Sequence, residues 1–255
     1  MIVVGIAAYL LVNNSGSKSG CPLCGTPVSQ SFLQKLSQVA NNNTLANKVG
    51  SGLAVSGPYA NLPKPINGTP LTLNGEPQIM YVGGDFCPYC AVSRWGLVIA
   101  MMRFGNFTNL SYMESSPTDV YADTPTFTFT NSTYHSNIVS FVGFELVNRD
   151  DNGNVTNPGF TTHYQNIYST YSSGGIPFVD FENKSVLNGA TVTPQILAGS
   201  DWNQILANIT NSDTLQAQGV IGEADIFTAY ICKDNQTLNM TAAACKQSYV
   251  KAIIG

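Results

Sequence analysis

Charge is what this chain has least of. Only 10% of its 255 residues are charged, 11 Lys+Arg against 15 Asp+Glu, where an average soluble domain carries roughly 25%. Eleven scattered cations cannot neutralise a run of phosphates, which excludes strong electrostatic binding to nucleic acid. Histidine is almost missing too: His135 and His163 are the only two, and neither stands in a pattern that suggests a base or a metal ligand. No phosphate-binding loop, dinucleotide fingerprint, serine nucleophile elbow or paired-carboxylate signature occurs. Long apolar runs are lacking as well. The first, Ile2 to Val12, would make a helix about 16 Å long, short of the roughly 30 Å of a bilayer's hydrocarbon core. It also lacks the basic start and small-residue cleavage site of a secretory signal. Three readings stand for it: the end of a membrane anchor, an uncleaved signal-anchor, or an apolar arm that inserts into a partner protein or membrane complex. The expected organisation is an arm or anchor plus linker over residues 1–20 and one domain over 21–255.

Uncharged polar residues and aromatics fill the space that charge leaves. With 12 Phe and 12 Tyr, the chain can bury a core and is not disordered. Its 25 asparagines include Asn-x-Ser/Thr acceptor sites at Asn13, Asn42, Asn106, Asn109, Asn131, Asn154, Asn183, Asn208, Asn235 and Asn239. An eleventh, Asn67, is compromised by Pro70 just after its Thr69. Six cysteines fall as three near neighbours, Cys21/Cys24, Cys87/Cys90 and Cys232/Cys245. Sequons and paired cysteines together point to a secreted or surface-exposed glycoprotein, in an oxidising compartment.

Helical spacing of Phe32, Leu33, Leu36 and Val39 predicts a helix over Ser29–Ala40, stopped by Asn41-Asn42-Asn43. Residues 50–70 read as a loop. Leu71-Thr72-Leu73, Asn74-Gly75 and the run to Gly83 predict a hairpin, because Asn-Gly tolerates positive φ. Alternation and β-branched or aromatic content predict strands at Phe107–Met113, Thr126–Thr130, Ile138–Leu146 and Phe178–Phe181, the last paired with Ser185–Ala190. Helices are expected at Phe160–Tyr171, Pro194–Leu197, Ser200–Ile209, Ile221–Cys232 and Thr241–Ile254. A disulfide between Cys232 and Cys245 would staple the last two across a turn at 234–237.

The chemistry concentrates in Cys87-Pro88-Tyr89-Cys90, set between the strand ending at Gly83 and the apolar run Ala91–Met102. A cysteine at a helix start lies beside unpaired N–H groups and the positive end of the helix dipole, which favour a thiolate. Cys87 is therefore the candidate nucleophile for thiol–disulfide exchange and Cys90 the resolving thiol. Pro177, after Ile176 and before a strand, is the partner feature that in thioredoxin-like folds is cis and lies against the sulfurs. Alternatives stay open: Cys87–Cys90 as a permanent structural disulfide, or a four-thiolate zinc site with Cys21 and Cys24, whose 62 intervening residues are far from usual zinc-ribbon spacing. Cys21–Cys24 reads as a small disulfide loop or as a second redox pair. Asp85 is either a tuning group or ordinary turn chemistry, Arg94 either solvated or turned toward the thiolate, and Trp95 core.

The stretch Tyr81-Val82-Gly83-Gly84-Asp85-Phe86-Cys87-Pro88-Tyr89-Cys90-Ala91, with Arg94-Trp95 and Arg103-Phe104-Gly105, resembles the family known as domain of unknown function 929. The likeness extends through Leu71–Gly75, Thr126–Phe129, Tyr134 and the Pro177 strand, roughly residues 25–254. It implies an extracytoplasmic, largely archaeal thioredoxin-like protein, usually behind a membrane segment. The expected fold is α/β, thioredoxin-like, with an inserted β-rich segment, helical additions and the short apolar arm. Two functions are expected in competition. One is a thiol–disulfide oxidoreductase acting on protein thiols and disulfides, without cofactor or metal. The other is a structural or binding subunit of a surface filament or membrane complex, with its cysteines as staples and residues 2–12 in a neighbour.

Overall fold

The computed structural model describes residues 20–57 and 60–255; the apolar segment 2–12 and Asn13 lie outside them. Helix α1 (Gln30–Ala40) is capped by Ser29, whose hydroxyl accepts the Phe32 N–H. The asparagine run after it starts a second helix: Asn42 caps α2 (Asn43–Val49) by accepting the Leu45 N–H, since asparagine caps a helix as readily as it ends one. A single turn α3 (Leu53–Ser56) and strand β1 (Lys64–Pro65) lie inside the expected loop. The expected hairpin is present as β2 (Thr72–Leu73) and β3 (Glu76–Gly83), with Asn74 at φ 54° and Gly75 at φ 84°, the double positive φ that a tight hairpin turn needs.

Helix α4 (Pro88–Met101) follows. Four short strands come next: β4 (Asn106–Thr108), β5 (Ser111–Glu114), β6 (Pro125–Thr128) and β7 (Thr133–His135), paired antiparallel as β4 with β7 and β5 with β6. The single strand expected over Phe107–Met113 is thus two, broken where Asn109 takes φ 58°. Then come β8 (Ser140–Glu145), α5 (Thr162–Ser172), β9 (Phe178–Phe181), β10 (Ser185–Asn188), α6 (Trp202–Asn208) and α7 (Leu215–Asp234). Helix α7 starts ahead of the expected Ile221 because Thr214 caps it and Gly219 and Gly222 fit within it; a Cβ at Gly222 would stand 2.6 Å from the Ser51 carbonyl. The expected last helix is broken: α8 (Gln236–Thr241) ends at an extended Ala242, a 3₁₀ turn carries Cys245, and α9 (Ser248–Ile254) closes the chain. The disulfide Cys232–Cys245 therefore ties the end of α7 to that turn, and Asn235 alone separates α7 from α8.

The main sheet runs β1–β10–β9–β3, with β8 parallel to β3 and every other pairing antiparallel. Strand β3 is its centre, and its alternate side chains divide the core. Ile79 and Tyr81 join the large cluster beneath α4 and α7, while Met80 and Val82 join Phe144, Phe178 and Ile167 beneath α5. This is a mixed α/β architecture with helices on both faces of a mixed sheet.

Helices α4 and α7 meet through a buried carboxyl. Glu223 of α7 accepts hydrogen bonds from Ser93 and Thr191 hydroxyls, each at 3.0 Å, and is wholly buried, with no ion pair to it among the described residues. Burial lifts it from its ordinary 4.5 to about 7, the two hydroxyl bonds opposing. A carboxyl raised on folding stabilises the native state fully below its unfolded pKa, and that contribution is lost as pH rises through about 7. Stability is expected to fall between pH 5 and pH 8, with roughly 3 kcal/mol of the fall due to Glu223; denaturant titrations of wild type and Glu223→Gln check this, the variant showing the flatter profile. Gly96 lets the carboxyl approach, since a Cβ there would stand 2.6 Å from Glu223 Oε2. Gly96→Ala is expected to destabilise by about 1–3 kcal/mol, read from the same titrations.

Candidate functional site

Strand β3 ends at Gly83, and the chain crosses the sheet's end through Gly84-Asp85-Phe86 into α4. This loop is held on both sides: Asp85 N–H donates to Val147 O at 2.9 Å and Ser116 N–H to Phe86 O at 2.8 Å. Cys87 is then the N-cap of α4, with Pro88 in the first turn where a missing N–H leaves nothing unpaired. Its Sγ accepts the Cys90 backbone N–H at 3.2 Å. Both cysteines are free thiols, Cys87 at 6% exposure and Cys90 at 0%. Hydrogen bonding from the Cys90 side chain, then the Cys90 and Tyr89 N–H groups and the Arg94 charge, outweighs burial and holds the Cys87 thiol below its usual range. Burial, and the hydrogen bond it makes to Cys87, push Cys90 well above it. The two thiols of one motif are thus shifted in opposite directions.

Beneath them lies a buried charged cluster. Arg94 is fully buried, so the reading as a solvated charge is wrong. Its Nε and Nη2 donate to the two Glu145 oxygens at 2.8 and 2.6 Å, and Nη2 also donates to Gly84 O at 2.6 Å. Asp85 Oδ1 stands 3.7 Å from the same Nη2. Burial and the neighbouring Glu145 raise Asp85 to about 7, against the pull of Arg94; it is more than turn chemistry. Tyr81, on β3, places its ring 5.9 Å from the guanidinium. Trp95 is core and donates to Pro125 O at 2.8 Å.

The Ile176–Pro177 bond is cis. Phe178 pairs with Val82 in antiparallel register, which sets Pro177 at the end of β3 where the cysteine loop begins. A Cβ at Gly84 would lie 3.4 Å from Ile176 Cδ1, so that side chain borders the loop. The rim is largely apolar: Phe86, Tyr89 and Ile176 are half-buried and Tyr121 meets Tyr89 edge-on at 6.1 Å.

The remaining candidates lie elsewhere. Cys21 and Cys24 are joined as a disulfide and buried, in a turn without a helix behind it; residues 25–28 run on along β5, with Gly25 N–H donating to Tyr112 O at 2.7 Å. Their sulfurs and a Glu114 oxygen lie within 4.8 Å of one another. Being bonded together, those sulfurs supply no thiolates to the four-cysteine zinc site considered above. His135 and His163 are exposed, the former sharing a 2.9 Å contact with Thr108. Asn42, Asn106, Asn109, Asn131, Asn154, Asn208 and Asn239 are exposed and Asn235 half-buried. Asn183 is a correction: it is buried, and its Nδ2 donates to Thr69 O at 2.9 Å, which leaves no room for a sugar. Sequence reasoning missed Glu145. The signal was there, a lone carboxylate inside the apolar run 138–146, but its partner stands 51 residues away.

Fold and site together define an α/β protein with a two-thiol motif at the N-terminus of a buried helix. Residues 63–168 match the family model described as Domain of unknown function (DUF929), the same family that the residues around Cys87 resemble; the match runs from β1 into α5 and does not reach Pro177. No curated protein and no solved structure matches the chain. At neutral pH, iodoacetamide is expected to label Cys87 roughly tenfold or more faster than Cys90; peptide mass spectrometry of timed samples reads the two rates.

Proposed function

We propose that this protein is a thiol–disulfide oxidoreductase of thioredoxin-like arrangement, acting on protein disulfides at the outer surface of the cell. The observation that carries the reading is the Cys87 sulfur at the head of α4, accepting the Cys90 N–H at 3.2 Å with its thiol held low. Cys87 thiolate attacks one sulfur of a substrate disulfide, and the other sulfur leaves as a thiol. Cys90 then attacks Cys87, closing the Cys87–Cys90 bond and releasing the second substrate thiol, so the substrate is reduced by two electrons and the pair is oxidised. The reverse sequence oxidises a substrate dithiol. The thioredoxin-like reading is supported by the strand order around β3: parallel β8 on one side, antiparallel β9 and β10 on the other, with cis-Pro177 entering β9 beside the cysteine loop. In that reading Ile176 presents its backbone to an extended substrate chain, and the rim of Phe86, Tyr89 and Tyr121 receives its apolar side chains.

An oxidising location is supported by two disulfides and by eight sequons with half-buried or exposed asparagines. Among the described residues no helix is long and apolar enough to cross a membrane, so attachment to a membrane or partner rests in this proposal on residues 2–12. One observation favours a second reading, the glycosylated structural or binding subunit of a surface assembly: Cys87 is only 6% exposed.

Equilibration of the full chain with glutathione redox buffers separates the two. The exchange reading expects a Cys87–Cys90 potential in the range of known exchange catalysts, roughly −120 to −270 mV, and reduction of insulin that Cys87→Ser abolishes. A potential below about −300 mV with no turnover assigns the pair to structure.

A further inference from the structure

The Cys90 sulfur has 0% exposure, yet resolution of a mixed disulfide requires it to become a thiolate in that setting. A buried anion needs a counter-charge. On α4, Cys87, Cys90 and Arg94 are spaced i, i+3 and i+7, one face of the helix, so Arg94 lies one turn below Cys90. As a structural clamp, Arg94 is complete with Nε and Nη2, which bind Glu145 and Gly84. Nη1 is left over: buried, and without a hydrogen-bond partner among the described residues. The hydroxyl of Tyr81, whose ring centroid lies 5.9 Å from the guanidinium carbon, is likewise without one. Unpaired donors on a buried cation are costly, and their natural complement is an anion that exists in only one state of the cycle.

We infer that Arg94 is a positioning residue whose free guanidinium arm is the counter-charge for the Cys90 thiolate as it forms and attacks Cys87. The inference rests on the exchange reading above. In that step the Cys90 S–H gives up its proton and the Cys90–Cys87 bond forms. The bond from Cys87 to the substrate sulfur breaks, and that sulfur departs with the electron pair and takes up the proton. The groups facing the guanidinium are Glu145 on β8, Tyr81 on β3, Asp85 in the loop and Cys90 on its own helix. They do not act alike: Arg94 favours the Cys90 anion and Glu145 opposes it.

The test uses the reduced full chain and Ellman's reagent, whose aromatic thiolate is released once by Cys87 attack and once by Cys90 resolution. In Arg94→Met/Glu145→Gln, which removes both buried charges together, the second release is expected to slow about tenfold at pH 7, with the midpoint of its pH profile about one unit higher. The first release should change far less. Arg94→Lys, which keeps the charge, should restore most of the second rate. Glu145→Gln alone should quicken the second release and lower its midpoint, because it removes the opposing charge and leaves the arginine. An unchanged second phase and pH profile in the double variant overturns the inference. Should that variant fail to fold, a second phase in Glu145→Gln no faster than wild type overturns it. A wild-type chain that releases no second thiolate instead sinks the exchange reading itself.

Discussion

The ion pair between Arg94 and Glu145, both without solvent exposure, is the contact on which the site depends. Removing two charges from water costs more than their attraction returns unless geometry is good and the remaining polar atoms are bonded. Here the carboxylate takes two N–H groups side-on, and the same guanidinium grips the Gly84 carbonyl. One side chain thus pins α4 to β8 and to the loop that carries Cys87. The helix start is held at the end of β3 by that grip, and with it the sulfur that the helix N–H groups stabilise.

A chain so poor in charge has spent much of what it holds inside. Arg94, Glu145, Asp85, Glu223 and Asp225 are all buried, and Arg103 reaches Asp225 at 2.6 Å beneath α7. The surface carries asparagine, serine and threonine instead. Long-range electrostatic steering is correspondingly weak, so in the proposed exchange reaction selection of a polypeptide would fall to contact range, at the apolar rim around the cysteines. Burial raises Glu223 where it meets only hydroxyls, and raises Asp85 and Asp225 even against a neighbouring arginine.

Much of the local structure was legible in the residues. A serine cap, Ser29 or Ser31 by sequence and Ser29 in the structure, announces α1, Asn74-Gly75 the hairpin, and Cys87-Pro88 the start of α4, because caps, tight turns and N1 prolines act within four residues of chain. Elements missed were those whose signals are ambiguous at that range. Asn42 caps one helix while seeming only to end another. Strand β7, only Thr133-Tyr134-His135, shows no apolar alternation because only Tyr134 is turned to the core, where it packs on Phe107 and Phe141. The break at Ala242 leaves no mark as strong as a proline.

By itself, then, the order of residues determined the two-thiol motif, its helix and the polarity of that helix, since these follow from backbone hydrogen bonding among near neighbours. It also determined an aromatic core large enough to close over them. Only the tertiary structure decided that Arg94 is enclosed rather than solvated, that Glu145 answers it from 51 residues away, and that Pro177 arrives at the end of β3. Those are meetings between distant segments. Their free energy comes from desolvation and packing, which exist only once the sheet has brought the strands side by side.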